Sequence, residues 1–147
     1  MEGRIRAMAR ILLVESDSKL QLLLRLLLEE QGYEVIATCD GYSAVELYTE
    51  KPANLVICNL LNPSQNGLQT LEAIKSINEF ILGVVISGSD LIDDLEYREA
   101  ALKVGIQATF TKPFDIRDFT KCINSLLNEI LSKTKIDIDN YLLVEAS

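Results

Sequence analysis

The chain of 147 residues contains no histidine and only three cysteines. Without histidine it cannot form a histidine-ligated metal centre, and it cannot run catalysis that needs a Ser-His-Asp or Cys-His arrangement. Cys39, Cys58 and Cys122 are odd in number, lie far apart in the sequence and form no C-x-x-C motif. This pattern indicates reduced thiols, and we therefore expect the protein in the cytoplasm.

Long apolar runs and an excess of basic charge are missing as well. The longest apolar stretch, FILGVVI at residues 80–86, falls well short of the roughly 20 residues that cross a membrane. The opening residues, MEGRIRAMAR, lack the long apolar run of a signal peptide. A formal net charge of −8 argues against binding to nucleic acid or anionic lipid, so we expect neither as a partner of this domain.

The chain does have enough apolar residues, 48% of the total, to bury the core of one domain. Short apolar or β-branched segments alternate with longer segments whose apolar residues recur at helical spacing. Strands are predicted at residues 10–14, 33–37, 54–58, 81–87 and 107–111, and helices at residues 18–31, 41–50, 68–78, 90–104 and 115–131. Strands that alternate with helices in this way predict a doubly wound α/β domain, whose parallel sheet is covered by helices on both faces.

Ligands of such domains bind at the carboxyl ends of the strands. The sequence has no G-x-G-x-x-G and no G-x-x-x-x-G-K-[ST] motif there. These are the glycine-rich loops that hold cofactor phosphates, so their absence argues against a dinucleotide-binding or P-loop enzyme.

The residues around the strand ends carry a family resemblance. The stretches ILLVESD, GYEVIATCDGYSAVEL, NLVICNLLNPSQNGLQTLEAI, VVISG and TFTKPF resemble, in this order, the receiver domain of two-component response regulators, the CheY-like superfamily. The resemblance covers about residues 10–131 and implies a flavodoxin-like (βα)5 fold with a five-stranded sheet of order 2-1-3-4-5. It also implies a phosphorelay signalling domain rather than an enzyme. Residues 1–9 are then an N-terminal extension, and residues 132–147 a C-terminal tail or linker.

The resemblance also assigns a site. In the family, two acids follow the first strand, a phospho-accepting aspartate ends the third, a threonine or serine ends the fourth, and Lys-Pro follows the fifth. These positions correspond here to Glu15 and Ser16 for the acidic pair, Asn59 for the acceptor, Ser87 for the hydroxyl and Lys112 for the lysine. The chemistry of phosphoryl transfer explains the pattern, because it needs a carboxylate nucleophile, a divalent cation held by acids and a positive charge.

Two of these positions and the family's aromatic switch position depart from the family pattern. Asn59 is a neutral amide that cannot form an acyl phosphate, and Ser16 replaces a metal-binding carboxylate. The aromatic switch residue, three positions before the lysine, corresponds to Thr109. Because Glu15 is the one expected carboxylate that remains, we expect no cofactor and weak or absent Mg²⁺ binding, with Glu15 and Asp17 as the metal-ligand candidates.

Three functions remain open at this point. The main prediction is a pseudo-receiver that is not phosphorylated and acts by protein–protein interaction, with a histidine kinase or an output domain as candidate partners. The second is a working response regulator with an atypical acidic site that uses Glu15 or Asp17. The third is a flavodoxin-like enzyme or ligand binder.

We expect the pocket to be filled by the protein's own groups. Lys112, turned by a cis bond to Pro113, is predicted to pair with Glu15 and to hydrogen-bond the amide oxygen of Asn59. Ser87 is predicted to bond its own loop. One of the residues 16–18 is expected to cap the first helix.

The first helix also has an unusual surface. Leu22 and Leu26 form an apolar pair on the side that should face solvent, which indicates either ordinary exposed leucines or a docking or homodimer surface. The core-facing residues are expected at Leu20, Leu23, Leu24, Leu27 and Leu28 of this helix, and at Ile116, Phe119 and Ile123 of the last helix. The apolar residues 141–144 of the tail are expected to pack on the body or on a partner.

Overall fold

The computed structural model of the protein describes residues 9–61, 66–88 and 95–129. Its strands are β1 (Arg10–Val14), β2 (Glu34–Thr38), β3 (Leu55–Asn59), β4 (Leu82–Ser87) and β5 (Ala108–Thr111). They form one five-stranded sheet in the order β2-β1-β3-β4-β5, and all neighbouring strands are parallel. The predicted fold class and strand order are therefore confirmed.

A helix follows each of these strands. The helices are α1 (Ser18–Glu30), α2 (Gly41–Glu50), α3 (Gly67–Ile77), α4 (Leu95–Val104) and α5, which covers residues 116–129. Where the structure describes the chain, the sequence-based bounds of helices and strands agree with these to within one residue. Residues 90–94 and 130–131, predicted to be helical, lie outside the described residues.

Side chains alternate across the sheet, so each strand contributes to two separate cores. Ile57 belongs to the core that includes Phe119 of α5, whereas its neighbour Val56 belongs to the core that includes Tyr48 of α2 and Leu71 of α3. Every residue of β3 and β4 is buried, because helices cover both faces of these central strands. The carboxyl ends of β3 and β4, which carry Asn59 and Ser87, thus lie in the buried centre of the domain.

The helix ends follow the expected chemistry. Asp17 is the N-cap of α1, and its Oδ1 accepts the backbone N–H groups of Lys19 at 3.0 Å and Leu20 at 3.2 Å. The predicted cap among residues 16–18 is therefore Asp17. Gly32 and Gly105 follow α1 and α4 with φ angles of 99° and 81°, a region that favours glycine.

Two residues that we predicted for the core are exposed instead. Leu23 is 45% exposed, because it lies about 100° around α1 from the fully buried Leu24. Ile116 is 37% exposed, because it lies in the first turn of α5 at an open cleft between α1 and α5. Phe119 and Ile123 are fully buried, as predicted.

Leu22 and Leu26 are on the solvent side of α1, where the helical pattern placed them, with exposed fractions of 54% and 55%. Among the helices that the structure describes, none is long and apolar enough to span a membrane. The apolar residues 141–144 lie outside the described residues.

Candidate functional site

The residues that the resemblance singled out meet at the carboxyl edge of the sheet. Glu15 directly follows β1, Asn59 is the last residue of β3, Ser87 is the last residue of β4, and Lys112 directly follows β5. Because these strands are neighbours in a parallel sheet, their carboxyl ends lie at the same edge.

Glu15 is a fully buried carboxylate at the centre of this group. Its Oε2 accepts hydrogen bonds from the Asn59 side-chain amide at 2.6 Å and from the Asp17 backbone N–H at 3.1 Å. Its Oε1 lies 3.3 Å from the Lys112 ammonium and accepts no hydrogen bond among the described residues. A buried carboxylate needs such a counter-charge, because desolvation alone costs several kcal/mol.

Asn59 is 7% exposed, and each end of its amide faces a complementary group. The amide nitrogen donates to Glu15, while Oδ1 accepts the backbone N–H of Leu61 at 3.2 Å. The chain after β3 returns close to this residue, since a Cβ on Gly67 would lie only 2.7 Å from the Asn59 carbonyl oxygen. The amide is thus oriented by its hydrogen bonds to Glu15 and Leu61, and Gly67 packs against the backbone of Asn59.

Lys112 is held by its backbone as well as by its charge. Its N–H donates to the carbonyl of Ser87 at 2.8 Å, and the bond to Pro113 is cis, as predicted. The predicted ion pair with Glu15 is confirmed, with about a third of the Lys112 side chain exposed. The ammonium therefore reaches the buried carboxylate while it keeps contact with solvent. The predicted hydrogen bond from Lys112 to the Asn59 amide oxygen is not formed between these two described residues; that oxygen accepts the backbone N–H of Leu61.

Ser87 differs from the prediction that it bonds its own loop. Its hydroxyl is fully buried and has no hydrogen-bond partner among the described residues. Ser87 is the last residue of β4, a strand in which every residue is buried.

The remaining acidic positions lie outside this buried group. Ser16 is exposed, and the side chain of Asp17 is engaged in capping α1. Across the described ranges, no three acidic or thiol side chains form a group that could hold a metal ion.

The three cysteines are free thiols, as predicted. Burial raises the pKa of the Cys58 thiol, and the negative charge of Glu15 raises it further. Burial also raises the pKa of Cys122. Cys58 therefore stays protonated in β3 next to the site, where it behaves as a small apolar side chain.

The residue at the switch position, Thr109, lies on β5, which is an edge strand of the sheet. Thr109 is exposed on β5, and its hydroxyl lies 3.3 Å from the hydroxyl of Tyr97 on α4. The two line an apolar cleft of about 550 Å³ between α4 and β5, together with Leu102, which is 83% exposed. The sequence reasoning missed Tyr97 and this cleft; an aromatic residue on the helix that precedes β5 was the available signal.

Comparison with known proteins agrees with this geometry. The chain matches the family described as "Response regulator receiver domain" over residues 11–124. It is 31% identical over 121 residues to the transcriptional regulatory protein CpxR of Escherichia coli strain K12, a match that covers 82% of this chain and 50% of that protein. It is 24% identical over 118 residues to sporulation initiation phosphotransferase F of Bacillus subtilis, covering 80% of this chain and 93% of that protein.

Among solved structures, the chain is similar to a CheY-like response regulator receiver domain protein from Methanospirillum hungatei JF-1. The TM-score is 0.78 at 25% identity, and the match covers 86% of this chain and 98% of that one. The chain spans about half the length of CpxR. With the family matched over most of its length, and with strand order and site positions that agree, the chain belongs to the response regulator receiver domains of two-component systems.

Proposed function

We propose that this receiver domain is a pseudo-receiver, which signals by contact with other proteins and without aspartyl phosphorylation. The observation that carries the proposal is Asn59, which stands at the acceptor position and donates its amide N–H to the buried Glu15. A carboxamide oxygen has no negative charge with which to attack phosphorus, so the group that starts the family's chemistry is missing.

The other acids of the site offer no replacement nucleophile. Glu15 is fully buried, and its two oxygens face Asn59 and Lys112. Asp17 caps α1 with Oδ1, a role that holds its side chain at the helix end. These contacts argue against the alternative of a working regulator that uses Glu15 or Asp17. Membership of the receiver family leaves the third alternative, a flavodoxin-like enzyme or ligand binder, without support.

The residues of the site do not fit a Mg²⁺ ion. Mg²⁺ requires near-octahedral oxygen coordination, commonly from one or two carboxylates plus water and phosphate oxygens. Here the buried carboxylate of Glu15 already has the ammonium of Lys112 beside one oxygen, and two N–H donors occupy the other. The lysine thus takes the electrostatic role that a cation has in a receiver with several acids.

The relay from site to surface also lacks its usual aromatic switch residue. Thr109 is too small to move between a buried and an exposed position as a large ring does. We therefore propose that the domain holds one state and presents a constant surface to its partners. A histidine kinase or an output domain in the cytoplasm is the partner class we propose, since CpxR, a transcriptional regulatory protein, is about twice as long as the part matched here.

A titration with Mg²⁺ and beryllofluoride, which mimics a bound phosphoryl group, tests this proposal. In two-dimensional ¹H–¹⁵N spectra of the wild type, we expect no shift at the amides of Asn59, Leu61 and Ser87. The Ser16→Asp/Asn59→Asp variant is the positive control, because it restores both missing carboxylates. Saturable shifts of these amides in the wild type, of the size seen in the control, would contradict the proposal.

A further inference from the structure

The outer face of α1 combines apolar and charged side chains in one stripe. The stripe consists of Lys19, Leu22, Leu23, Leu26 and Glu30, all of which are exposed. At 100° per residue, these five positions fall within an arc of about 100° around the helix. An apolar stripe of this width is typical of a helix face that packs on another element.

The charges and leucines of this stripe are arranged so that two copies of the stripe can face each other in antiparallel orientation. Lys19 and Glu30 are equally far along the helix from the point midway between residues 24 and 25, and so are Leu23 and Leu26. A second α1 that runs antiparallel, with a two-fold axis at that point, places Lys19 opposite Glu30 of the second copy. The same axis places Leu23 opposite Leu26 of the second copy, which closes the apolar centre between two ion pairs.

The charges select this arrangement over others. Neither Lys19 nor Glu30 has an ion-pair partner within the described part of the chain, whereas Arg25 and Glu29 beside the stripe pair with each other at 3.0 Å. A parallel pairing brings Lys19 next to Lys19 and Glu30 next to Glu30, which is unfavourable. The antiparallel pairing instead gives each of these charges a partner of opposite sign at both ends of the interface.

We propose that α1 forms a two-fold symmetric, antiparallel pair with α1 of a second copy of this chain. The inference rests on the proposed function, in which the domain acts through protein contacts, and it names the partner of this face. Three leucines from each copy bury little area compared with a standard protein interface, so the dimer is expected to be weak and to depend on concentration.

Charge reversal in the full chain tests the register of the pair. Lys19→Glu places two glutamates opposite each other at both ends, and Glu30→Lys does the same with two lysines. Each single variant is expected to weaken the dimer about tenfold in sedimentation velocity, a change that corresponds to loss of favourable pairs and gain of repulsive ones. An equimolar mixture of the two variants is expected to recover association, because the introduced glutamate of one variant then lies opposite the introduced lysine of the other.

The variants and their controls are chosen to exclude unfolding of α1, or a change in net charge alone, as the cause of a weaker dimer. An acid near the start of a helix and a base near its end both stabilise the helix, so loss of the dimer cannot come from unfolding of α1. Lys103→Glu on α4, an exposed position outside the stripe, makes the same charge change as Lys19→Glu and is expected to leave association unchanged. Leu22→Asp/Leu26→Asp is expected to abolish association while the circular dichroism spectrum stays that of the wild type.

The outcomes separate this inference from the proposed function. A wild type that stays monomeric at every concentration, or a mixture that associates no better than either variant, overturns the antiparallel pair. Neither result affects the proposal that the domain is not phosphorylated. Conversely, a domain that dimerises as described but gains a phosphoryl group keeps this inference and loses the proposed function.

Discussion

Lys112→Met is expected to lower the free energy of unfolding by about 2–4 kcal/mol, because it leaves the buried carboxylate of Glu15 without a counter-charge. Removal of one partner of a fully buried ion pair typically costs more, but about a third of the Lys112 side chain contacts solvent, which reduces the loss. Urea unfolding followed by circular dichroism gives this value directly.

A double-mutant cycle shows whether the loss comes from Glu15. In a Glu15→Gln background, the same Lys112→Met change is expected to cost less than about 1 kcal/mol, since no buried charge remains to be compensated. An equal cost in both backgrounds would mean that Lys112 stabilises the fold by packing, and that the lysine does not act as the cation of the site.

Asn59→Asp is the second substitution with a large expected effect. It replaces an amide that donates to Glu15 Oε2 at 2.6 Å by a second carboxylate at that distance. The hydrogen bond is lost and two like charges are brought together in a buried site, so we expect a destabilisation of about 2–3 kcal/mol at neutral pH. Asn54→Asp makes the same chemical change at an exposed position whose Oδ1 accepts the Arg10 N–H, and it is expected to leave stability unchanged.

The effect of Asn59→Asp also has a defined pH dependence. The negative charge of Glu15 raises the pKa of the carboxyl introduced at position 59 in the folded state above its value in the unfolded chain. A raised pKa in the folded state means that the folded state binds more protons, so the variant loses stability relative to the wild type as the pH rises through that pKa. The difference between the two is therefore expected to shrink in acid. A constant difference across the carboxyl range would contradict the contact between residues 15 and 59.

Much of the fold follows from local patterns in the sequence. The fully buried strands β3 and β4 stand out as unbroken apolar runs, and the glycines after α1 and α4 mark the helix ends. The helical wheel was less reliable at the border between the core-facing and the solvent-facing sides of α1. Leu23 has the same side chain as the buried Leu24, but it lies about 100° away from it around α1 and stays exposed.

The sequence predicted which residues form the site, but only some of the contacts between them. The resemblance identified Glu15, Asn59, Ser87 and Lys112, and the structure brings them to one edge of the sheet. Which donor meets which oxygen depends on side-chain geometry that the sequence does not contain. The amide of Asn59 donates to Glu15, and the hydroxyl of Ser87 is left without a partner in the described chain, although a bond to its loop was expected.

The central claim is that this domain is not phosphorylated, and intact-mass spectrometry after incubation with acetyl phosphate and Mg²⁺ tests it most directly. The mass of the wild type is expected to stay unchanged, because Asn59 has no nucleophilic carboxylate and Glu15 is enclosed by its partners. The Ser16→Asp/Asn59→Asp variant, with acceptor and metal ligand restored, is the control that is expected to gain one phosphoryl group. A gain of one phosphoryl group by the wild type, located by peptide mapping at Glu15, Asp17 or Asn59, would contradict the account.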